Sequence, residues 1–366
     1  MSKNKKKKGG KIFIAVICII LALCIGIGAV GLAYWNKIKN APPEVEDTMV
    51  YDFDADETIP LALADDPEFD KIFEGESAAD LRSAMKNWVT DDTNIMYSEN
   101  VINVLCIGVD TRNQNTVSGL TDSMIIVSVN RELGQITMTS IMRDSYAYLE
   151  SPSGTGSFNK INSAFPFYGV ENLINTIETH FKIRIDGYAT INFALFKAAI
   201  DKLGGVNVPV QQYEADYINR CYGFDIKASD WTLLNGDEAL AYCRSRNCDS
   251  DGDVSRTRRQ RTLLTNLLYK FSSVETSEIK GYIETFLPYV KTSYSEAELV
   301  SLATKAVVGD WMHFQTEQYV VPDEASRKAH SGDVWYWEVD YPLAAQTLQN
   351  KIYGKTNIVL NENRNR

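Results

Sequence analysis

The chain has 366 residues and a formal net charge of −11, from 37 basic and 48 acidic residues. A chain of this length can bury a substantial apolar core. The excess of acid excludes a general affinity for nucleic acid or anionic lipid, so any cluster of basic residues within it is informative.

The N-terminus joins a basic tail to a long apolar run. Residues 1–11 hold six lysines and no acid, and residues 12–35 are uncharged and almost wholly apolar. A helix of that length, at about 1.5 Å per residue, crosses a bilayer core of roughly 30 Å. A cleaved signal peptide is the alternative, but the run is long and no clear cleavage site follows it. We therefore predict a single transmembrane helix with a cytoplasmic N-terminus and an extracellular C-terminal domain.

Beyond residue 40 the chain carries 29 basic and 48 acidic residues, a net charge of −19. We predict an acidic extracellular stalk over 36–99, because its first part is rich in acid and proline. A short helix is predicted within it, over 78–89. A folded domain is predicted over 100–275, followed by a C-terminal extension over 276–366 that packs on it.

The six cysteines indicate no metal site. Cys18 and Cys24 lie in the apolar run, and no CxxC or Cys/His pattern indicates zinc. Cys221 and Cys248 lie in polar loops, where an extracellular domain permits either a disulfide or two free thiols.

Three apolar segments predict the first strands of the folded domain, at 101–108, 124–130 and 135–142. A glycine-containing turn joins the last two into a hairpin. A first strand beside the second would complete an antiparallel meander. Asp110 would then follow the first strand, Asp122 would precede the second and Arg143 would follow the third. In that arrangement all three side chains lie at one edge of the sheet.

Further elements alternate along the chain: helices at 173–181 and 193–203, and strands at 183–191 and 206–210. The segment LNGDEALAYCRSR predicts a capped helical turn that enters a strand ending in Arg244 and Arg246. Two residues apart on a strand, these side chains would share one face. The C-terminal part predicts a helix near 294–307, a strand QYVVP, an aromatic segment WYWEVDYP and a final helix at 343–353.

The helix after the acidic loop 249–253 carries the most specific local pattern. Its apolar stripe consists of Leu263, Leu264, Leu267, Leu268 and Phe271. Extended toward the N-terminus, the stripe meets Gln260 and Arg256, which therefore face inward at the end of the helix where anions are favoured. Arg258 and Arg261 lie off the stripe and are expected in solvent.

These polar positions suggest one chemistry. Arginine offers planar, often bidentate donors and keeps its charge, so a group of arginines suits a phosphate or diphosphate. Two carboxylates suit a hard divalent cation. Structural alternatives exist: the two aspartates cap turns or pair with arginines, and Arg244 and Arg246 form an exposed face. Arg256 would in that case form a buried ion pair with Asp253 or Asp110. Arg259 fits either interpretation. The absence of a Ser/His/Asp or Cys/His grouping in the sequence argues against acyl transfer.

The chain resembles the LytR–CpsA–Psr (LCP) family of membrane-anchored cell-wall enzymes over about residues 100–270. The resemblance lies in the ordered segments NVLCIGVDTR, TDSMIIVSVN, ITMTSIMRDSY, FNKINSAF, INFALFKAAIDKLGGVNVPV, LNGDEALAYCRSR and DGDVSRTRRQ. It implies an α/β fold with a central mixed, largely antiparallel sheet sandwiched by helices. It also implies an apolar tunnel for the tail of a polyprenyl diphosphate.

The resemblance implies an activity as well: Mg²⁺-dependent transfer of a glycopolymer from a polyprenyl-diphosphate carrier to a muramyl hydroxyl of peptidoglycan, through a phosphodiester. Mn²⁺ is an alternative metal. Asp110 and Asp122 match the metal-binding positions and, with Arg143, make the expected catalytic set. The expected diphosphate-binding residues are Arg143, Lys160, Arg244, Arg246, Arg256, Gln260 and Arg112.

One position departs from the family pattern. Many members have an arginine two residues before the second aspartate, where this chain has Leu120. One cation is therefore missing, and Arg112 is a candidate to replace it. The loss motivates an alternative, a membrane-anchored regulatory protein that binds lipid-linked glycans with little turnover. A polyprenyl-diphosphate hydrolase, in which water replaces the glycan hydroxyl, is a further alternative.

Overall fold

The computed structural model describes residues 76–109, 121–151, 154, 156–271, 291–295, 298, 302, 305, 309, 311, 314–330 and 334–360. The predicted transmembrane helix, most of the acidic stalk, Asp110, Arg112 and Leu120 lie outside these residues. Within them, no helix is both long enough and apolar enough to cross a membrane.

The described residues form two compact units. The first unit holds those within 76–105, 121–186 and 316–360, and the second holds those within 106–109 and 187–315. Each unit contains both helices and strands, so the predicted α/β class is observed, with a central sheet flanked by helices.

The helices and strands are numbered in chain order. The first group is α1 (Glu76–Thr90), β1 (Val101–Val109), β2 (Thr121–Asn130), β3 (Gln135–Ile141), β4 (Tyr146–Glu150), β5 (Gly156–Lys160), α2 (Ala164–Phe181), β6 (Gly187–Asn192), α3 (Phe193–Lys202) and β7 (Val206–Val210). The second group is α4 (Gln212–Tyr222), β8 (Ser229–Leu234), α5 (Gly236–Arg244), α6 (Asp253–Phe271), β9 (Lys291–Thr292), β10 (Gln315–Val321), β11 (Arg327–His330), β12 (Tyr336–Val339) and α7 (Tyr341–Tyr353).

In the first unit, strands β10, β3, β2 and β1 lie side by side in this order. Strands β2 and β3 form the predicted antiparallel hairpin, in which Ile125 lies opposite Ser140. Strand β2 begins at Thr121, earlier than predicted, so Asp122 is part of the strand rather than just before it. Helix α2 buries the predicted face at Leu173 and Ile177.

In the second unit, the end of β1, then β6 and β9 lie side by side. Strand β6 begins at Gly187 rather than at the predicted 183. Residues 183–186 belong to the first unit, where the N–H of Arg184 donates to the carbonyl of Met96 at 3.0 Å. The apolar core of the second unit comes from α3, α5, α6 and the β7–β8 hairpin, with Ile200 and Val206 fully buried.

Residues 236–244 form helix α5, and the predicted strand ending in Arg244 and Arg246 is wrong. The side chain of Asn235 accepts a hydrogen bond from the N–H of Glu238 at 3.0 Å, and the Glu238 carboxylate accepts one from the N–H of Asn235 at 2.9 Å. This reciprocal cap satisfies the free donors at the start of a helix. Arg244 is therefore the last residue of a helix, and the two arginines share no strand face.

Several elements were not predicted: β4, β5, α4, β8 and β11. Helix α4 has few apolar residues and buries Glu214, Ala215 and Ile218. The carboxylate of Glu214 accepts a hydrogen bond from the N–H of Gln211 at 2.9 Å, which caps the helix. The contacts of the buried Glu214 carboxylate stabilise this polar helix. A search for apolar periodicity in the sequence does not reveal such a helix.

The turn between α3 and β7 provides a stability test, because both of its glycines have positive φ, 69° at Gly204 and 87° at Gly205. A Cβ at Gly205 would lie 2.8 Å from the carbonyl oxygen of Leu234, whereas a Cβ at Gly204 would contact nothing. We expect Gly204→Ala to lower the free energy of unfolding by about 1–2 kcal/mol through backbone strain. Gly205→Ala should lower it by about 1–3 kcal/mol more, because the added methyl overpacks the turn. Urea denaturation followed by tryptophan fluorescence measures both, and equal losses would contradict the close approach.

Candidate functional site

The first unit contains a buried cluster of four charged side chains, here called the carboxylate cluster: Asp122, Arg143, Asp144 and Lys160. Arg143 donates from Nη1 to Asp122 Oδ1 and from Nε to Asp144 Oδ2, the latter at 3.3 Å. Lys160 donates from Nζ to Asp144 Oδ1 at 2.7 Å. All four residues are less than a tenth exposed. Buried charges persist only when they are paired, and Asp144 pairs with both cations.

The backbone around the cluster fixes these side chains. Asp122 lies in β2, Arg143 and Asp144 follow β3, and Lys160 ends β5. The N–H of Ile161 donates to the carbonyl of Ser145 at 2.8 Å, and the N–H of Met142 donates to Val321 at 2.8 Å. The turn after β3 is thus hydrogen-bonded to the end of β5 and to β10.

One carboxylate oxygen of Asp122 is open among the described residues. Among the described residues its Oδ1 accepts from Arg143, while its Oδ2 accepts no hydrogen bond and is not fully buried. An open carboxylate oxygen suits Mg²⁺, which proteins hold through one or two carboxylates together with substrate phosphates. The described part of the chain contains no group of three or more His, Cys, Asp or Glu that could hold a metal. The other predicted metal ligand, Asp110, lies outside that part.

The second unit contains four predicted site residues, here called the arginine cluster: Arg244, Arg246, Arg256 and Gln260. Two of them, Arg246 and Arg256, pair with Asp253. Asp253 is the first residue of α6, and its Oδ1 lies 2.7 Å from Arg256 Nη2 and 3.6 Å from Arg246 Nε. The guanidinium of Arg244 packs over the ring of Phe193 at 4.7 Å. Gln260 Nε2 donates to the carbonyl of Cys243 at 3.4 Å. The predicted inward orientation of Arg256 agrees with its burial, 3% exposed.

The environment of Arg246 disfavours its charged form. Burial, and then the neighbouring Arg256, lower the pKa of Arg246 to about 9, although Asp253 opposes the shift. An anion bound beside Arg246 would favour its charged form. The first turn of α6 adds the positive end of a helix dipole, which also favours negative charge.

Arg259 has a structural role rather than contacting the arginine cluster. It is 1% exposed, and its Nη1 donates to Glu214 at 3.0 Å and to Asp249 at 2.8 Å. Its Nε donates to the carbonyl of Tyr242 at 3.1 Å and its Nη2 to the carbonyl of Ser245. Burial alone would lower the pKa of Arg259, but Cys248, Asp249 and Glu214 outweigh burial and raise it. This permanent cation holds the loop between α5 and α6.

Two arginines of α6, Arg258 and Arg261, were both expected in solvent, but only Arg258 is exposed. The side chain of Arg258 is half exposed and lies 3.5 Å from Asp249. Arg261 is buried, at 6% exposed, and its Nε and Nη1 have no hydrogen-bond partner within the described part of the chain. Burial, and then the nearby Arg258, lower the pKa of Arg261 to about 10. The expectation was wrong for Arg261 because the side of α6 next to the apolar stripe is covered as well.

Asp144 is the residue of these clusters that the sequence did not identify. It adjoins Arg143, and only the pairing of β4 with β5 brings Lys160 to it, with Tyr146 opposite Lys160. The other predicted residues fall into the two clusters: Asp122, Arg143 and Lys160 in the first unit, and Arg244, Arg246, Arg256 and Gln260 in the second. Asp110 and Arg112 lie outside the described residues.

Comparison with known proteins defines the class. A model described as the LytR_cpsA_psr family matches residues 73–352, which is more than half of the chain. The chain therefore belongs to the LytR–CpsA–Psr family.

Individual relatives are transferases by name. The chain is 25% identical over 339 residues to the polyisoprenyl-teichoic acid–peptidoglycan teichoic acid transferase TagU of Bacillus licheniformis, covering 89% of this chain and 95% of that protein. It is 32% identical over 215 residues to the corresponding transferase TagV of Bacillus subtilis, covering 57% of this chain and 51% of that protein.

Solved structures share the fold. The structure of TagT bound to LIIa-WTA matches with a TM-score of 0.56 at 22% identity, over 70% of this chain and 93% of that one. The structure of Bacillus subtilis TagV matches with a TM-score of 0.54 at 26% identity, over 70% and 98% of the two chains.

The bridging role of Asp144 predicts a stability change. Asp144→Asn leaves Lys160 and Arg143 without their shared anion, so we expect the free energy of unfolding to fall by about 3 kcal/mol. In a double-mutant cycle with Lys160→Met, the coupling should reach about 1–3 kcal/mol. Urea denaturation of the four proteins measures it.

A matched control is Asp225→Asn. Asp225 also pairs with a lysine, Lys227, but both side chains are about four-fifths exposed. We expect little change there, because water and salt screen exposed pairs. Equal losses at Asp144 and Asp225 would show that the carboxylate cluster is not a buried network.

The lowered pKa of Arg246 predicts a pH dependence of anion binding. Below pH 9 its guanidinium is charged and attracts an anion, and above pH 9 the charge is lost. We therefore expect the affinity for sulfate, which does not titrate in this range, to be constant from pH 7 to 8 and to fall through pH 9. Isothermal titration calorimetry measures this. In Arg246→Gln that step should disappear, and an unchanged profile in this variant would refute the assignment.

Proposed function

We propose that this protein transfers a glycopolymer from a polyprenyl-diphosphate carrier to a muramyl hydroxyl of peptidoglycan. Family membership supports the proposal, as do relatives named as teichoic acid transferases that match most of the chain. The observation that carries it is local: Arg246 and Arg256 share the single carboxylate of Asp253 at the first turn of α6. Guanidiniums gathered at the N-terminal turn of a helix suit a phosphate or diphosphate, because their fixed charge and the helix dipole both favour an anion.

In this proposal the arginine cluster binds the diphosphate. Arg246 and Arg256 supply charge-assisted hydrogen bonds to phosphate oxygens, and Asp253 holds them in place so that little reorganisation is needed on binding. Arg244, stacked on Phe193, and Gln260, bonded to the carbonyl of Cys243, complete the set. Arg259 contributes indirectly by fixing the loop that carries Arg246.

The carboxylate cluster has the complementary role. Asp122, with its open Oδ2, would hold Mg²⁺, and Asp110 is the second proposed ligand. When bound, the metal would neutralise phosphate charge. Arg143 orients Asp122 through its Nη1. Asp144 pairs with both Arg143 and Lys160, which fixes Arg143 beside Asp122.

The proposed reaction is one phosphoryl substitution. The muramyl oxygen forms a bond to the phosphorus next to the polymer, and the bond from that phosphorus to the bridging oxygen of the diphosphate breaks. Polyprenyl phosphate leaves with the electron pair, and the hydroxyl proton passes to a base or to water. The arginines stabilise the charge that develops on the phosphoryl oxygens. The product is a phosphodiester between glycopolymer and peptidoglycan.

The reaction would take place on the outer side of the cell membrane. Residues 12–35, with the lysines before them, would anchor the chain in the cell membrane and leave the clusters outside the cell. A lipid-linked donor and a wall acceptor are both available on that side. No nucleic acid is expected as a partner, given the net charge of −19 beyond residue 40.

The test is transfer by the full-length chain in detergent, supplied with a polyprenyl-diphosphate-linked sugar, a peptidoglycan oligomer and Mg²⁺. Mass spectrometry should detect a sugar–phosphate–muropeptide adduct that disappears with EDTA. We expect Arg256→Gln to reduce the rate by about 100- to 1,000-fold, the usual effect of removing one donor to a developing oxyanion. Asp122→Asn should also abolish the adduct.

The matched control is Arg220→Gln, which removes an exposed arginine of α4 that packs on Tyr217. Its rate should equal that of the unaltered protein. Free sugar phosphate without an adduct would indicate a hydrolase, and bound lipid without either product would indicate a binding protein.

A further inference from the structure

A groove in the first unit is not used by the proposed chemistry. It lies between α1 and the segment from β11 to the start of α7, with a volume of about 630 Å³. Its apolar surface includes Met85, Trp88 and Tyr341, and its polar surface includes Asn87, Lys328 and Glu338. Pockets for small ligands usually have volumes of roughly 300–1,000 Å³ and combine an apolar lining with a few polar groups.

The indole of Trp88 is held rigidly in this groove. Its Nε1 donates to the carbonyl of His180 at 2.8 Å, and the ammonium of Lys182 lies 4.8 Å from the ring centre. Lys182 also donates to the carbonyl of Trp88 itself at 2.7 Å. A fixed aromatic ring loses little entropy when a ligand packs on it, which suits the apolar face of a sugar ring.

The polar side chains of the groove are available to a ligand. Lys328 and Glu338 lie directly opposite each other on β11 and β12. Opposed side chains on paired strands normally interact. Yet within the described part of the chain neither side chain forms a hydrogen bond or an ion pair, and the Asn87 side chain forms none either. A lysine, a carboxylate and an amide together offer donors and acceptors for hydroxyl and acetamido groups.

The charge of the groove selects among glycans. Its lining contains three acids, Asp91, Glu338 and Asp340, and two cations, Arg327 and Lys328. A balance that is slightly acidic disfavours a polyanionic teichoic acid. It accepts an uncharged amino-sugar chain.

The strand that forms one wall of the groove is hydrogen-bonded to the turn that carries Arg143 and Asp144. The N–H of Trp337 donates to the carbonyl of Asp144 at 2.8 Å, and Trp337 forms a bridge with Ser145. Glu338 and Val339, the next residues of β12, line the groove. At about 3.3 Å per residue along a strand, the groove wall begins within one or two residues of the strand position that holds Asp144.

From these observations we infer that the groove binds the glycan strand of the acceptor. This inference rests on the proposed function, since it gives the acceptor of that reaction its binding site. The sugar ring packs on Trp88, and Asn87, Lys328 and Glu338 bind its polar substituents. The bound strand then extends toward the turn that carries Arg143 and Asp144.

The experiment uses the full-length chain in detergent and chitohexaose, an uncharged amino-sugar oligomer, as the probe. Isothermal titration calorimetry measures its affinity, and transfer assays measure KM for a peptidoglycan oligomer and for the lipid donor. Replacing both Lys328→Ala and Glu338→Gln should weaken chitohexaose binding roughly tenfold, because two hydrogen-bonding groups are lost. KM for the acceptor should rise by the same factor, while kcat and KM for the donor stay unchanged.

The control carries Lys355→Ala and Glu132→Gln, which remove the same two chemical groups at exposed positions outside the groove. Equal thermal melting of the two double variants shows that both fold. Unchanged chitohexaose binding in the groove variant, or tighter binding of poly(glycerol phosphate) than of chitohexaose, would overturn the inference. Groove-dependent binding of chitohexaose without any transfer product would support the groove and overturn the proposed function instead.

Discussion

The burial of Arg259 is the constraint on which the arginine cluster depends. A guanidinium that is 1% exposed requires partners for its charge and its donors. Here Glu214 and Asp249 supply the charge, and the carbonyls of Tyr242 and Ser245 accept the remaining hydrogen bonds. These contacts tie α4, the end of α5 and the following loop to α6. The loop that carries Arg246 and the helix that carries Arg256 are joined by these contacts, so a structural arginine holds the two elements of the arginine cluster together.

Both clusters bury charged side chains, but the charges are compensated differently in the two. In the carboxylate cluster two acids meet two cations, and Asp144 accepts from both Arg143 and Lys160. In the arginine cluster the described cations Arg246 and Arg256 share one carboxylate, and the pKa of Arg246 falls to about 9. A balanced cluster is suited to holding its own geometry, whereas guanidiniums gathered at a helix N-terminus are suited to an anionic ligand. The division of labour in the proposed reaction follows from this difference.

Sequence reasoning succeeded where a periodic pattern determines the structure. The β2–β3 hairpin and the inward orientation of Arg256 on α6 both follow from spacing and are observed. The prediction from sequence failed where a local hydrogen bond determines the secondary structure. The Asn235–Glu238 cap makes 236–244 a helix, although its end was expected to be a strand. Asp144 was missed because its partner Lys160 reaches it only through the pairing of β4 with β5. Arg261 was expected in solvent, and only tertiary packing accounts for its burial.

The most direct test of this account is a crystal structure of the full-length chain with a non-cleavable polyprenyl diphosphate analogue and Mn²⁺ in place of Mg²⁺. Anomalous scattering locates the metal without ambiguity. The account predicts an Mn²⁺ signal at Asp122 Oδ2 and phosphate oxygens within hydrogen-bond distance of Arg246 and Arg256. A diphosphate bound away from these arginines, or a metal bound without Asp122, would contradict it.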